Sequence, residues 1–255
     1  MKSEASAGLL RGGVGARAFT RTELFVTVAV IAVLASLLLV FPRDSKGRAQ
    51  QTVCRANLKA LGAAFVLYCG DNQGAFPARG SANDFGPQPE DWIYWQAAGD
   101  RSGARDLNQS RVAKYASNVS TNLFRCPGDD TWMLRRYRYS YSFNASSQAT
   151  DSSFTGMATF VSKDRRTIFI IRAASVRNPS QKIMVAEERG GPNDDRSAGE
   201  DYINDGAWCP APRTESPNYL TSRHRGNADV AFTDGHVEIV SRSFSMDPRH
   251  FLPER

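Results

Sequence analysis

Apolar positions change their spacing several times along this chain, and each spacing predicts an element. From Leu24 to Phe41 they run without a charged residue. As a helix that segment is about 27 Å long at ~1.5 Å per residue, close to the thickness of bilayer hydrocarbon. Pro42 follows it. Cys54, Leu58, Leu61, Phe65 and Tyr68 then recur at steps of three and four, which predicts one apolar stripe on an amphipathic helix. Gly70 and the turn Asp71-Asn72-Gln73-Gly74 end it. A continuous helix from Glu23 to Cys69 would be about 70 Å long.

Further on the period shortens. Residues 78–91 read as a loop, and the Trp92-Ile93-Tyr94-Trp95 cluster as buried core. Leu107 to Tyr115 is a candidate short helix. Tyr137 to Phe143 alternates aromatic and polar residues, the pattern of a strand with one wet face. Thr167–Arg172 and Lys182–Glu187 are β-branched strand candidates on either side of Asn178-Pro179. Residues 189–222 are rich in Gly, Pro, Asp and Ser and read as a long loop around Trp208-Cys209. Two apolar arms then flank Asp234-Gly235. Val230 and Phe232 lie on one, Val237 and Ile239 on the other, which predicts a hairpin with a two-residue type I′ turn.

Charge changes this picture little. The 255 residues carry a formal net charge of +6, spread in ones and twos, so nucleic acid is not an expected partner. The placement of charge matters more. Lys2, Arg11 and Arg17 precede the apolar segment, which keeps the N-terminus cytoplasmic and turns the rest outward. Glu23 stands at the edge of that segment, where a carboxylate is costly without a partner. The four cysteines, Cys54, Cys69, Cys126 and Cys209, form no CxxC pair, so their spacing does not point to zinc. If one disulfide forms, Cys126 and Cys209 are the expected pair, because both lie in loops.

The stretch Ala18-Phe19-Thr20-Arg21-Thr22-Glu23-Leu24 resembles the processing signal of type IV prepilins and type II secretion pseudopilins. The phrase Cys54-Arg-Ala-Asn-Leu-Lys-Ala-Leu-Gly62 and the spacing of His224 from Asp234-Gly235 resemble the pilin-like proteins with an H-x9-DG domain. Leu123-Phe-Arg-Cys126-Pro-Gly-Asp matches a further element of that group. The signal departs from the family's pattern at Ala18, where glycine is usual, and at Arg21 and Thr22, where apolar residues are usual.

The resemblance implies an α+β, pilin-like fold, with a long N-terminal transmembrane and assembly helix packed on an antiparallel β-sheet. It implies a leader over 1–18, a transmembrane helix over 19–42 and its continuation over 43–70. A periplasmic domain over 71–255 carries the loop 189–222 and the hairpin 223–241. A prepilin peptidase would cut between Ala18 and Phe19, with N-methylation of Phe19. Glu23 would then pair with the Phe19 amine of a neighbouring subunit, although Arg21 in the same chain is also within reach. The implied role is a non-catalytic subunit, single-pass in the cell inner membrane. Its partners would be other pilin-like subunits and the machinery of type II secretion or a type IV pilus-like assembly.

Other chemistry stays open on the residues. An anchored periplasmic module could bind carbohydrate or a secreted substrate through the aromatic cluster and the long loop. His224 with nearby carboxylates could serve a hydrolase, but no nucleophile motif accompanies it. Asp194, Asp195, Glu200, Asp201 and Asp205 could hold calcium, although their spacing is not that of an EF-hand.

Overall fold

The computed structural model describes residues 19–39, 45–80, 88–94, 106–117, 119–130, 139–145, 156–162, 164, 166, 168–190, 206–210 and 218–254. The chain divides into two units, Met1–Ser45 and Lys46–Arg255.

The first unit is helix α1, Arg21–Leu39. It opens on a capping box, the arrangement that a Thr-x-x-Glu sequence favours. Glu23 N donates to Thr20 Oγ1 at 3.2 Å, and Glu23 Oε2 accepts from both Thr20 N and Thr20 Oγ1 at 2.8 Å. Two orphan amides of the first turn are thereby satisfied. Val30, Ile31, Val33 and Leu34, at ~100° per residue, point to different sides of the helix, and all are exposed. Among the described residues no helix is long and apolar enough to cross a membrane. The uncharged part of α1, Leu24 to Leu39, is about 24 Å long at ~1.5 Å per residue. Val40, Phe41 and Pro42 lie outside the described residues, and with them the continuity of the long helix.

In the second unit, helix α2, Ser45–Asp71, packs on a sheet. The predicted stripe is its buried face: Cys54, Leu58, Leu61 and Phe65 are sealed from solvent, and Tyr68 is half-buried. Cys69 falls on the same face. The helix stops where Gln73 and Gly74 take positive φ and Gly74 N donates to Cys69 O at 2.7 Å.

The strands in chain order are β1 (Tyr141–Asn144), β2 (Phe160–Val161), β3 (Ile168–Phe169), β4 (Ile183–Glu187), β5 (Ala207–Trp208), β6 (Ala228–Phe232) and β7 (Val237–Val240). Five of them form a sheet in the order β5-β1-β4-β6-β7, and β2 pairs with β3 apart from it. The unit is therefore α+β, but the expected antiparallel sheet is mixed. β5 runs parallel to β1, with Phe143 opposite Ala207 and Asn144 opposite Trp208. The predicted loop 189–222 thus contributes an edge strand. β5 lies on the side of β1 away from β4, where Gly206 O and Trp208 O accept from Phe143 N and Ala145 N.

Apolar cores form on both faces of this sheet. One contains Leu58, Leu61, Phe65, Trp92, Phe124 and Phe143. The other contains Ile183, Trp208, Val230, Phe232, Phe251 and Leu252. Coverage on both sides explains why β1 and β4 are buried throughout, where the sequence of β1 predicts one wet face. Trp92, Ile93 and Tyr94 are core, as predicted, and Trp95 lies outside the described residues. The candidate helix 107–115 is instead two 3₁₀ turns, Leu107–Gln109 and Ala113–Tyr115.

The hairpin of β6 and β7 is present, but its turn is a residue longer than expected. Gly235 N donates to Phe232 O and Phe232 N to His236 O, both at 2.9 Å. Gly235 has φ 90° and Asp234 has no positive φ. This is a type I turn followed by a left-handed glycine, a three-residue loop, rather than a type I′ turn.

Candidate functional site

Where α2 crosses the sheet, polar and sulfur-bearing groups replace the apolar core. Cys54 stands at the start of the buried stripe of α2. Side chains of the same helix hold a second cysteine beside it. Asn57 Nδ2 donates to Asn122 O at 2.9 Å and Arg125 O at 3.0 Å, and Gln50 Nε2 donates to Pro127 O at 2.9 Å. These bonds fix the loop Leu123–Asp129, whose tight turn brings Asp129 N to Cys126 O at 3.0 Å. Cys126 is fully buried.

Glu187 ends β4 and projects from the sheet toward the same point. His224 enters from the other side. It sits in a tight reversal, with Arg225 and Gly226 at positive φ, just before β6. Cys126 Sγ lies 3.5 Å from His224 Nε2, and Glu187 Oε2 lies 3.1 Å from that nitrogen. Asp229, the second residue of β6, places Oδ2 3.8 Å from the same nitrogen. Arg223 Nη1 donates to Glu187 Oε1 at 3.1 Å and lies 3.8 Å from Asp129 Oδ2. Arg55 Nε meets Asp229 Oδ1 at 3.3 Å. One atom each from Cys54, Cys126, Glu187 and His224, all within 4.8 Å of one another, could serve as metal ligands.

Electrostatics follow from this crowding. Burial pushes the Cys54 thiol well up, and Cys126 beside it adds to the shift. Cys126 is drawn down by its hydrogen bond with Cys54, helped by His224 and Arg223 against the cost of burial. Burial opposes charge on His224, but Cys126 and Glu187 outweigh it and raise the imidazole to about 10. Asp229 is raised to about 6, first by burial and then by repulsion from Glu187.

The other predicted site residues lie elsewhere. Asp234 and Gly235 form the hairpin turn, where Asp234 Oδ1 meets His236 Nδ1 at 2.5 Å and the His236 ring stacks on Phe232 at 4.4 Å. His224 and Asp234 therefore have separate partners. Phe19 and Glu23 belong to the start of α1. Ala18 and the calcium candidates Asp194, Asp195, Glu200, Asp201 and Asp205 lie outside the described residues.

The expected partner of Cys126 is also different. Cys209 Sγ contacts Ala145 O at 3.4 Å, whereas Cys126 adjoins Cys54. None of the four cysteines is in a disulfide. A cleft of about 530 Å³ opens beside the cluster, lined by Val53, Asn57, Ser120, Asn122 and Cys126 among others. No protein-family model, curated protein or solved structure matches this chain.

Proposed function

We propose that the chain is a membrane-anchored structural subunit of the pilin and pseudopilin kind. A prepilin peptidase releases Phe19, and the apolar helix then anchors the protein and joins it to other subunits of a type II secretion or type IV pilus-like assembly. α1 carries this reading. A helix apolar on every side is stable only in lipid or inside a bundle of other helices. The capping box adds support, because both bonds from Thr20 fall on Glu23 Oε2. Glu23 Oε1 accepts none of the hydrogen bonds seen among the described residues and is open to a neighbour's Phe19 ammonium. Arg21, the alternative partner in the same chain, makes no ion pair with Glu23 among those residues. The binding-module reading is weaker, since Trp92, Ile93 and Tyr94 are spent on the core.

Mass spectrometry of the N-terminal peptide, from the full chain isolated with the membrane fraction, tests the proposal. N-methyl-Phe19 is the expected terminus. A terminus at Ser36 would mean an ordinary signal peptide and would overturn it.

A further inference from the structure

The cluster under α2 has no part in anchoring or leader processing. We propose that Cys54, Cys126, His224 and Glu187 form a structural zinc site that ties α2, the Cys126 loop, β4 and the entry to β6 together. The inference stands whether or not the chain is a pilin-like subunit.

The donor set and its spacing carry the proposal. Zinc takes thiolate sulfur at ~2.3 Å and imidazole nitrogen or carboxylate oxygen at ~2.0 Å in a tetrahedron. Those bonds fix the edges at about 3.6 Å for sulfur to nitrogen, 3.3 Å for nitrogen to oxygen and 3.8 Å for sulfur to sulfur. Cys126 Sγ to His224 Nε2 is 3.5 Å and His224 Nε2 to Glu187 Oε2 is 3.1 Å. No edge exceeds 4.8 Å, so the remaining ones close by at most about 1.0 Å (sulfur to sulfur) to about 1.3 Å (sulfur to oxygen).

A thiol–imidazole relay is the rival chemistry, and the geometry disfavours it. In such a relay the sulfur faces one imidazole nitrogen while the orienting acid holds the other. Here sulfur and carboxylate both face Nε2. Groups arranged that way converge on a point between them and cannot pass a proton across the ring.

The surroundings supply the outer shell that metal ligands need. Tyr141 Oη donates to Cys54 Sγ and Gly128 N to Cys126 Sγ, each at 3.3 Å. Arg223 holds Glu187 Oε1, and Oε2, which accepts from Asp229 N at 3.3 Å, keeps its second lone pair for the cation. Asp229 Oδ2 is fully buried, has no hydrogen-bond partner among the described residues, and points to the same place. A buried carboxylate oxygen in that state asks for a partner, which an ion or an ordered water supplies. The cleft beside Cys126 gives an entry path. Closed coordination by four protein groups, two of them soft sulfurs, suits a structural zinc rather than magnesium or calcium.

Charge and protons balance. As Zn²⁺ enters, each thiol releases its proton to solvent, and His224 binds as the neutral imidazole and releases any proton it carries on Nε2. Two thiolates and one carboxylate leave a single negative charge on the ion and its ligands; Arg223 lies against Glu187 and Asp129, and Arg55 pairs with Asp229.

The test uses the full chain, purified in mild detergent without chelators. Elemental analysis should find one zinc per chain. Cys54→Ser, Cys126→Ser and His224→Gln should each lower occupancy by more than about tenfold, and Cys69→Ser and Cys209→Ser should leave it unchanged. Tyr141→Phe keeps the buried ring, and so the fold, and should weaken zinc binding by about tenfold. A readout on the unaltered chain guards against misfolded variants. Cobalt(II) added to chelator-stripped protein should give the charge-transfer and ligand-field absorption of a tetrahedral thiolate site. Zinc should also shield Cys54 and Cys126 from alkylation. A chain that takes up neither metal with all four thiols reduced overturns the proposal. So does a Cys54–Cys126 disulfide, seen as a mass short by two hydrogen atoms.

Discussion

Replacing Phe65 with alanine should be the most damaging single truncation in α2. The ring is sealed from solvent and lies against Phe143 at 4.6 Å and Trp92 at 5.6 Å between centroids. An aromatic side chain of this size buries at least ~150 Å², worth about 4 kcal/mol at ~25 cal/mol per Å². The unfolded chain already hides part of that area, which lowers the figure. The cavity left behind raises it again, because Trp92 is pinned by its Nε1–H donating to Gly206 O at 2.9 Å and cannot collapse inward. The two corrections oppose each other, and about 4 kcal/mol remains. Urea unfolding of the full chain in detergent, followed by tryptophan fluorescence, measures it. Trp92 and Trp208 are both fully buried and report on the two cores. With an m-value of roughly 2 kcal/mol per M, the midpoint should fall by about 2 M at unchanged slope. Leu67→Ala is the matched control. It lies two residues along the same helix but is 56% exposed, and should change stability by no more than about 0.5 kcal/mol. Equal losses from the two substitutions, or a loss below about 1.5 kcal/mol at Phe65, would refute the assigned buried face.

Two further outcomes follow from backbone geometry. Gly235→Ala should cost about 1–2 kcal/mol through its φ of 90° alone, since the added Cβ would meet Val66 Cγ2 at an ordinary 3.8 Å. Thermal melts would show the loss, and an unchanged melting temperature would exclude the left-handed turn. Thr20→Ala should remove about 1 kcal/mol from the first turn of α1, seen as about fivefold faster hydrogen exchange at the Glu23 amide. Unaltered exchange there would dismiss the capping box.

Much of the second unit was legible because its signals are local. The stripe of α2 repeats over four turns, long enough for the 3.6-residue period to separate itself from chance. β4 carries Ile183 and Val185, and the β6–β7 hairpin carries Val230, Phe232, Val237 and Ile239 around a turn dipeptide. Failures occur where a long-range contact decides. Two residues, Ala207 and Trp208, cannot display a period, so β5 was invisible inside a Gly- and Pro-rich stretch. Its direction, and with it the mixed character of the sheet, depends on which edge the returning chain reaches. The wet face expected for β1 failed because Trp208, Phe251 and Leu252, all distant in sequence, cover the second side of the sheet. The hairpin turn is longer than Asp-Gly suggests because loop length is set by the last hydrogen-bonded residues, Phe232 and His236, and not by the dipeptide.

The candidate site was hidden for a related reason. Sequence rules for zinc look for ligands two to four residues apart, whereas Cys54, Cys126, Glu187 and His224 come from four separate elements that meet only after the sheet forms. The nine-residue spacing between His224 and Asp234 invites the opposite error, of joining the two into one site. In the fold that spacing is occupied by β6, Ala228–Phe232, which at ~3.3 Å per residue holds its ends about 13 Å apart. His224 is delivered to the cluster at one end of the strand and Asp234-Gly235 to the turn at the other. Lengthening the spacer by one residue would turn the apolar set of β6 to the wrong face of the sheet. Spacing of this kind therefore records the length of a strand and its register, and a shared ligand is neither needed nor reachable. Of the motif residues His224 reaches the cluster, beside partners that lie 37, 98 and 170 positions upstream in Glu187, Cys126 and Cys54.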